Sequence, residues 1–380
     1  MNILIIGGGI FGCTIAQELG KNHEVTLVEK ENDIMQKASL ANHNRIHFGY
    51  HYPRSEKTAL QCINSLGSFM LEYGPAVISG FPNFYTIAKE NSYTTPKEFT
   101  RFCDNVGIWY HEEYPDPNLL NRDKLAASFR VNEPIFNYGA LKSLAASKLI
   151  QSNVRVLLGS VVSGAKEISG EGFLVDIRAS DQNLRVHFDK VVNTTYANLN
   201  EVNKMFGAKP RQLKFEHTIV PIFKFEHAPV GLTVMDGPFC TIMPHGGHEN
   251  QFLLWSVDGS VHSHSTNLKN LRMPTSKKDL EDFCSRMYDM SAPWMPFIKT
   301  VEPIGVFSTQ KVIEENKFDA RLSEITVGSS QVPVSLVSST EYSSSNFISV
   351  LSGKIMTCVK MAYHIRDMFD NRQNAGGYIL

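Results

Sequence analysis

Several common features are missing from this 380-residue sequence. An excess of charge is absent, because 37 basic and 38 acidic residues leave a formal net charge of −1. This balance gives no reason to expect a nucleic acid or an acidic lipid surface as a partner. No apolar run approaches the roughly 20 residues that a membrane-spanning helix needs, so we expect no transmembrane segment.

Paired cysteines are also lacking. No two of the six cysteines have the two-residue spacing of a zinc knuckle or a redox disulfide: Cys13, Cys62, Cys103, Cys240, Cys284 and Cys358. Buried thiols in a reducing compartment are the simpler interpretation. The first apolar stretch, ILII, is too short for a signal core and lacks a basic leader. We therefore expect a cytoplasmic protein, with peripheral contact to a membrane left open.

What the sequence does have is a glycine-rich opening. The apolar run NILII predicts a strand buried on both faces, and Gly7, Gly9 and Gly12 then fit the pattern G-x-G-x-x-G. Apolar residues at helical spacing follow, and a second apolar run, EVTLVE, ends in Glu29. In such a strand–turn–helix–strand unit the helix start binds a pyrophosphate and the acid accepts hydrogen bonds from a ribose diol. The opening therefore predicts a dinucleotide site.

The choice between NAD and FAD depends on the next segment. A nicotinamide enzyme would normally continue into another βαβ unit, which is not found here. Residues 36–55, QKASLANHNRIHFGYHYPRS, form instead a polar, histidine-rich stretch. A long amphipathic helix is predicted after it, with one apolar stripe: Ala59, Cys62, Ile63, Leu66, Phe69, Met70 and Tyr73. This pattern favours FAD.

The same segment resembles the D-amino-acid-oxidase (DAO) superfamily of FAD-dependent oxidoreductases. It is most similar to the branch of L-2-hydroxyglutarate dehydrogenase and glycerol-3-phosphate dehydrogenase, through Ile46, His47, Gly49 and Tyr52. The C-terminal stretch NFISVLSGKIMTCVKMAYHI resembles the flavin segment of glycerol-3-phosphate dehydrogenases, with Ser352 in place of its first glycine and Met356 in place of its first threonine. In the stretch VVNTTYANLN, Tyr196 stands where the family has a glycine.

The resemblance implies an α/β fold, α+β overall. A Rossmann-like FAD-binding domain would consist of residues 1–75, 140–205 and 325–380. An interleaved substrate domain around an antiparallel sheet would consist of 76–139 and 206–324. Apolar runs such as HTIVPIFKFEH support strands there, Asp236-Gly237 is a turn signal, and the serine cluster 335–345 is expected to be a surface loop.

The cofactor site that the fingerprint and the resemblance imply has contributions from both ends of the chain. Backbone amides at two helix starts, after Gly9 and after residues 352–354, would hold the two halves of FAD. The predicted cofactor residues are Gly7, Gly9, Ile10, Phe11, Gly12, Glu29, Lys30, Ser39, Asn44, Arg45, Ile46, His47, Val162, Asn193, Thr194, Ser352, Gly353, Lys354, Ile355 and Met356.

For catalysis the resemblance places His47 next to the flavin, as general base or as a group that orients a substrate oxygen. His51 and Tyr52 are further candidates. The spacing of His43, His47 and His51 would suit a metal on a helix, but Gly49 and Pro53 argue against a helix, and we expect no metal. A covalent histidyl–flavin bond remains an alternative.

The expected reaction is oxidation of a CH–OH group in a small polar substrate, a 2-hydroxy acid or a sugar derivative, by hydride transfer to flavin N5. Oxidation of an amine or amino acid on the same scaffold, or flavin binding without turnover, are the alternatives. Arg211 and Arg321 are candidates to bind a substrate carboxylate, although either could be a solvated surface arginine. The electron acceptor is left open between oxygen, a quinone and a carrier protein.

Overall fold

The architecture was analysed in a computed structural model. It describes residues 1–179, 182–314, 322–327, 330–333 and 346–370. In these ranges the α-helices are α1 (Ile10–Leu19), α2 (Glu56–Tyr73), α3 (Pro96–Val106), α4 (Tyr138–Gln151), α5 (Leu199–Met205), α6 (Lys277–Ser291) and α7 (Cys358–Phe369). A 3₁₀ turn, Ile355–Thr357, directly precedes α7.

The strands of the described residues are, in chain order, β1 (Asn2–Ile6), β2 (Glu24–Val28), β3 (Val77–Ile78), β4 (Asn83–Ala88), β5 (Tyr110–Glu112), β6 (Leu125–Val131), β7 (Ile135–Phe136), β8 (Arg155–Leu157), β9 (Val161–Ile168), β10 (Gly172–Arg178), β11 (Asn183–Phe188), β12 (Lys190–Asn193), β13 (Leu213–Lys224), β14 (Gly231–Met235), β15 (Cys240–Pro244), β16 (Gln251–Ser256), β17 (Val261–Ser265), β18 (Glu302–Glu314), β19 (Glu324–Val327), β20 (Ser330–Pro333) and β21 (Phe347–Leu351). They form one large, mainly parallel sheet, one large mixed sheet, a three-stranded meander and a two-stranded pair.

The first sheet has the order β20-β19-β21-β12-β1-β2-β8 and is parallel from β21 to β8. As predicted for NILII, β1 is buried on both faces. Ile3 and Ile5 pack into the cluster that contains α1, α4 and α7, and Leu4 and Ile6 pack into the cluster on the opposite face. This sheet brings the two ends of the chain together, because β12 lies between β1 and the C-terminal strand β21.

The meander β9-β10-β11 is antiparallel and packs on the second face of that sheet. Three aromatic rings connect the meander to the first sheet. The ring centroids of Phe173 in β10 and Phe206 lie 5.1 Å apart, and Phe206 stacks on Phe347 of β21 with a centroid distance of 4.9 Å. These ring contacts hold the meander against the face of the first sheet that contains Leu4 and Ile6. The middle region therefore consists of short antiparallel strands that cover this face of the first sheet.

The second sheet has the order β17-β13-β16-β15-β14-β4-β6-β5, with β18 paired to β13 along its whole length. Strands β14 and β15 pair antiparallel around Asp236-Gly237, as the turn signal predicts. Helix α6 packs on one face of this sheet through Phe283 and Met287. Together the two sheets confirm the expected fold class, whereas the domain boundaries stay a prediction.

The predicted apolar stripe of α2 is correct in its main part. Ala59, Cys62, Phe69 and Tyr73 are fully buried, but Met70 is 40% exposed. Within the described ranges, every helix is too short or too polar to cross a bilayer. The serine cluster 335–345 lies outside the described residues.

Candidate functional site

A cavity of about 370 Å³ lies between the glycine turn, the meander and β18. Its lining includes predicted cofactor residues from both chain ends: Gly7, Gly9, Ile10, Phe11, Glu29, Lys30, Ser39, Val162, Thr194 and Ser352. The N-terminal turn and the C-terminal segment therefore border one continuous space. Such a space suits a single extended ligand rather than two separate ones.

The glycine turn is shaped by two close requirements. Gly7 has φ +105°, in the region that favours glycine. A Cβ at Gly12 would lie 1.8 Å from the carbonyl oxygen of Gly7, so a side chain here would push α1 away from β1. Helix α1 begins at Ile10 without a side-chain cap at Gly9, which leaves amide groups at its start for an anion.

Glu29 and Ser39 bracket this turn. The backbone N–H of Gly8 donates to Glu29 Oε2 at 2.5 Å, and that of Glu31 donates to Oε1 at 2.9 Å. The backbone N–H of Ile10 donates to Ser39 Oγ at 3.1 Å. The acid is thus held at the end of β2, where it also borders the cavity.

Asn44 is the clearest sign of a polar ligand. Its backbone adopts φ +52°, and its amide N–H donates to Asn42 Oδ1 while its carbonyl accepts from Phe136 N–H. Its side chain is fully buried, yet neither Oδ1 nor Nδ2 has a hydrogen-bond partner. Buried amides normally have partners, so a ligand with polar edges, such as the flavin ring of FAD, fits this position.

The predicted catalytic residues are brought together by the loop before α2. The rings of His47 and His51 lie 6.0 Å apart, and the ring of Tyr52 lies 5.8 Å from His47 and 5.4 Å from His51. Lys354 Nζ lies 4.7 Å from the centre of the Tyr52 ring. The loop with the histidines therefore contacts the C-terminal segment predicted to bind the flavin.

The histidines of this cluster are held neutral. Desolvation by burial, followed by the positive charges of Lys354 and Arg45, holds the pKa of His47 well below its usual range. Burial and the same two cations, together with His47, lower the pKa of His51 in the same way. The loop contains no helix, as Gly49 and Pro53 predict, so the spacing of the histidines does not form a helical metal face.

A buried ion pair lies behind this cluster and was missed by the sequence analysis. Arg45 Nε lies 3.2 Å from Glu133 Oε2, and both side chains are at most 3% exposed. The guanidinium also donates to Tyr85 Oη and Thr233 Oγ1, each at 2.9 Å. Arg45 was predicted to bind the cofactor, but its side chain contacts the second sheet, which leaves only its backbone for that role. The signal for Glu133 was a lone acidic residue in the stretch FRVNEPIF.

Arg211, one of the two arginines predicted to bind substrate, is not placed for that role. The guanidinium of Arg211 is 1% exposed and forms ion pairs with Glu314, at 2.5 Å, and with Glu324. It also donates to Thr326 Oγ1 at 2.9 Å. Two carboxylates already neutralise it, so the prediction of a substrate contact is corrected to an internal one. Arg321 lies outside the described residues.

Other predicted cofactor residues have internal roles. The side chain of Asn193 donates to Leu199 O and Asn203 Oδ1, which fixes the start of α5. Ile46 and Met356 are fully buried in the hydrophobic core. The amide of Gly353 donates to Ser323 Oγ at 2.8 Å, which anchors the C-terminal segment.

Further residues line the cavity without any sequence pattern that pointed to them, and they lie just before β9, after β12 or in β18: Ser160, Thr195, Asn198, Glu201, Thr309 and Gln310. Tyr196, at the position of the family's glycine, adopts φ +51°. Its hydroxyl accepts a hydrogen bond from Val312 N–H at 3.0 Å. A tyrosine therefore takes the left-handed conformation there, with its side chain anchored on β18.

A sequence profile of the DAO family, which is described as FAD dependent oxidoreductase, matches residues 2–301 of this chain. The chain belongs to this family. Its cofactor is accordingly FAD, and the free amides at the start of α1 and the unpartnered side chain of Asn44 fit that assignment.

Curated relatives are distant. The chain is 24% identical over 245 residues to the FAD-dependent monooxygenase FPY4 of Fusarium mangiferae and 26% identical over 254 residues to the FAD-dependent monooxygenase kojA of Aspergillus flavus. These alignments cover 63% and 64% of this chain but only 60% and 58% of the relatives. A 50-residue segment, 13% of this chain and 10% of its relative, is 50% identical to a glycerol 3-phosphate dehydrogenase of Caloramator mitchellensis.

Solved structures show the same fold over nearly the whole length. L-alpha-glycerophosphate oxidase of Mycoplasma pneumoniae with FAD bound superimposes with a TM-score of 0.74 at 15% identity, covering 99% of this chain and 97% of the other. Glycine oxidase of Geobacillus kaustophilus gives 0.71 at 14% identity, covering 98% and 95%. Because the similar folds include enzymes named for an alcohol and for an amino acid, they leave the substrate class open.

Proposed function

We propose that the protein oxidises a CH–OH group of a small polar substrate, a 2-hydroxy acid or a sugar derivative. The observation that carries this proposal is the convergence of His47, His51 and Tyr52 with Lys354, which lies two residues after Ser352 in the cavity wall. Bound FAD would supply the acceptor for the hydride that leaves the substrate carbon.

The chain's own residues supply the proton chemistry. A neutral imidazole can accept the proton of a substrate hydroxyl, and the lowered pKa of His47 keeps the ring neutral at physiological pH. Lys354 places a positive charge close to this ring, where it would stabilise negative charge that develops on the substrate oxygen. His51 and Tyr52 flank His47 and would orient the substrate.

A screen of anaerobic flavin reduction tests the proposal. The purified protein, loaded with FAD, is mixed with hydroxy acids, sugars and their phosphates, amines and amino acids in the absence of oxygen. Bleaching of the flavin absorption by a hydroxy compound supports the proposal. Bleaching by amino acids or amines alone contradicts it and assigns the site to oxidation of a CH–NH bond.

The role of His47 is tested on the same reaction. With His47→Asn we expect reduction by the best hydroxy compound to slow by 10²- to 10⁴-fold, the usual contribution of a general base. His111→Asn is the matched control, because His111 is an exposed histidine on β5. Equal rates in wild type and His47→Asn, at equal FAD content, would show that His47 is not the general base.

The proposed reaction also needs an electron acceptor that reoxidises the reduced flavin, and a separate measurement identifies it. Reoxidation of the reduced protein is followed with oxygen, with a soluble quinone and with a one-electron carrier. If the protein is an oxidase, we expect oxygen to reoxidise the flavin quickly. If it is a dehydrogenase, we expect slow reoxidation by oxygen and fast reoxidation by the quinone or the one-electron carrier.

A further inference from the structure

We propose that Glu133 is a positioning residue whose carboxylate holds His47 in the Nδ1–H tautomer and leaves Nε2 to accept a proton. His47 Nδ1 lies 3.5 Å from Glu133 Oε1, and the two atoms are not yet joined by a hydrogen bond in this geometry. Such contacts often tighten only when substrate binds. The catalytic part of this role rests on the proposed function, whereas the tautomer is a property of the protein alone.

The carboxylate is rigidly held, with a different task for each oxygen. Oε2 faces the second sheet, where it accepts from Tyr85 Oη at 2.6 Å and pairs with Arg45. Oε1 faces the loop, where it accepts from Phe48 N–H at 3.0 Å and lies next to His47. If Glu133 served only to neutralise Arg45, Oε2 alone would be sufficient. The orientation of Oε1 toward the loop is what points to His47.

The tautomer follows from simple electrostatics. A neutral imidazole has one N–H, and an adjacent carboxylate draws that proton to the nearer nitrogen. With Nδ1 protonated, Nε2 carries the lone pair. In the proposed reaction the substrate O–H bond breaks, its electron pair stays on oxygen, and its proton bonds to Nε2. Glu133 then lies next to the resulting imidazolium and stabilises it.

The groups that face His47 come from several elements. They are Lys354 of the C-terminal segment, Arg45, His43, His51 and Tyr52 of the loop, and Glu133 between β6 and β7. Lys354 and Arg45 oppose protonation of His47. Among the described residues, Glu133 supplies the carboxylate within salt-bridge distance of the His47 ring. Its removal should therefore change the tautomer of His47 directly.

Glu133→Gln gives a defined change. Arg45 and Tyr85 both donate toward the Oε2 position, so the new carbonyl oxygen is drawn there. The amide NH₂ group then takes the Oε1 position, where it loses the hydrogen bond from Phe48 N–H and faces His47 Nδ1. Nδ1 must then become an acceptor, so we expect the Nε2–H tautomer in this variant. Flavin reduction should slow by about 10- to 100-fold, the range typical of carboxylates that orient histidines in metal sites.

The tautomer is measured by NMR of FAD-loaded protein with ¹⁵N-labelled histidine, because imidazole nitrogen shifts distinguish the two neutral forms. His47→Asn identifies the His47 signal, and Tyr85→Phe is the matched control, since it removes one contact to Oε2 and leaves Oε1. We expect Nδ1–H in wild type and in Tyr85→Phe. An Nε2–H tautomer in wild type, or an unchanged tautomer and rate in Glu133→Gln, would overturn the proposal.

A second variant covers the case in which Glu133→Gln does not fold. Arg45→Met with Glu133→Leu replaces the buried ion pair by apolar side chains, which is often neutral for stability. His47 should then show a mixture of tautomers. Because the NMR experiment needs no substrate, its outcome is independent of the flavin-reduction screen. If no hydroxy compound reduces the flavin, the proposed function is wrong, but the NMR experiment still shows which tautomer His47 adopts.

Discussion

Two buried arginines in this protein look alike at first and differ in what surrounds them. The Arg45 network consists of Arg45, Glu133, Tyr85 and Thr233, and the Arg211 network consists of Arg211, Glu314, Glu324 and Thr326. Each guanidinium is nearly inaccessible and donates to a threonine hydroxyl at 2.9 Å. Arg211, however, has two carboxylates as partners, whereas Arg45 pairs with one.

The difference extends to the neighbours. Next to the Arg45 network lie His43, Asn44 and His51, each with a buried side-chain atom that lacks a hydrogen-bond partner. Next to the Arg211 network, the hydroxyl of Ser349, which pairs with Thr326, is such an atom. One hydroxyl without a partner is compatible with a structural network, whereas an amide and two imidazoles clustered beside Arg45 suit a polar ligand. This comparison separates the structural arginine from the one that belongs to the site.

The largest expected effect is on stability, in Arg211→Met. Loss of the guanidinium removes the ion pairs that Arg211 forms with Glu314 and Glu324, which should cost about 3–5 kcal/mol of unfolding free energy. Urea denaturation measures the cost, and the rate of flavin reduction per bound FAD should remain within about twofold of wild type. A cost below about 1 kcal/mol, or a large loss of rate, would contradict the assignment of this network.

The second effect is acid sensitivity that originates near Arg45. Burial holds the pKa values of His43, His47 and His51 well below 6.5. Below pH 6.5 the unfolded chain therefore binds protons that the folded chain does not, so stability is complete above this pH and is lost as the pH falls. At pH 5.5 each histidine should cost on the order of 1 kcal/mol.

Replacement of these three histidines by glutamine tests that origin. Urea denaturation at pH 7.5 and 5.5 gives the acid-induced loss, and we expect the triple variant to lose about 3 kcal/mol less than wild type between these pH values. His111→Gln, at an exposed position on β5, serves as the matched control. An unchanged acid loss in the triple variant would show that other groups cause it.

The smallest effect compares the two threonines. Thr233→Val and Thr326→Val each remove an acceptor from a buried guanidinium, so each should cost about 1–3 kcal/mol of stability. Only Thr233→Val should also slow flavin reduction, because a shifted Arg45 disturbs Glu133 and thus His47. Stopped-flow reduction separates the two variants, and equal rates in both would remove the functional distinction between the networks.

The local geometry around the glycine turn followed from the sequence, whereas the partners of Arg45 and Arg211 did not, for a physical reason. The glycine turn, α1 and Glu29 follow one another within 30 residues, so a local pattern contains nearly all of their geometry. His47, His51 and Tyr52 likewise share one short loop. Their convergence with Lys354 was predicted only through the family resemblance, since no local pattern relates residues 300 positions apart.

Glu133, Tyr85 and Thr233 could not be found in this way. They lie 88, 40 and 188 residues from Arg45 and meet it only after the second sheet has assembled. The same holds for Arg211, whose partners Glu314 and Glu324 are more than 100 residues away. A surface arginine and a buried one look the same in sequence, because burial is decided by strands that pair much later in the chain.

The most direct test of the account is a crystal structure of the protein with FAD bound. We expect the pyrophosphate at the start of α1, the adenosine near Glu29, and the isoalloxazine ring beside Asn44 and Ser352, within reach of His47 and Lys354. An isoalloxazine ring placed away from both His47 and residues 352–354 would contradict the claim that one cavity joins the two chain ends into a single catalytic site.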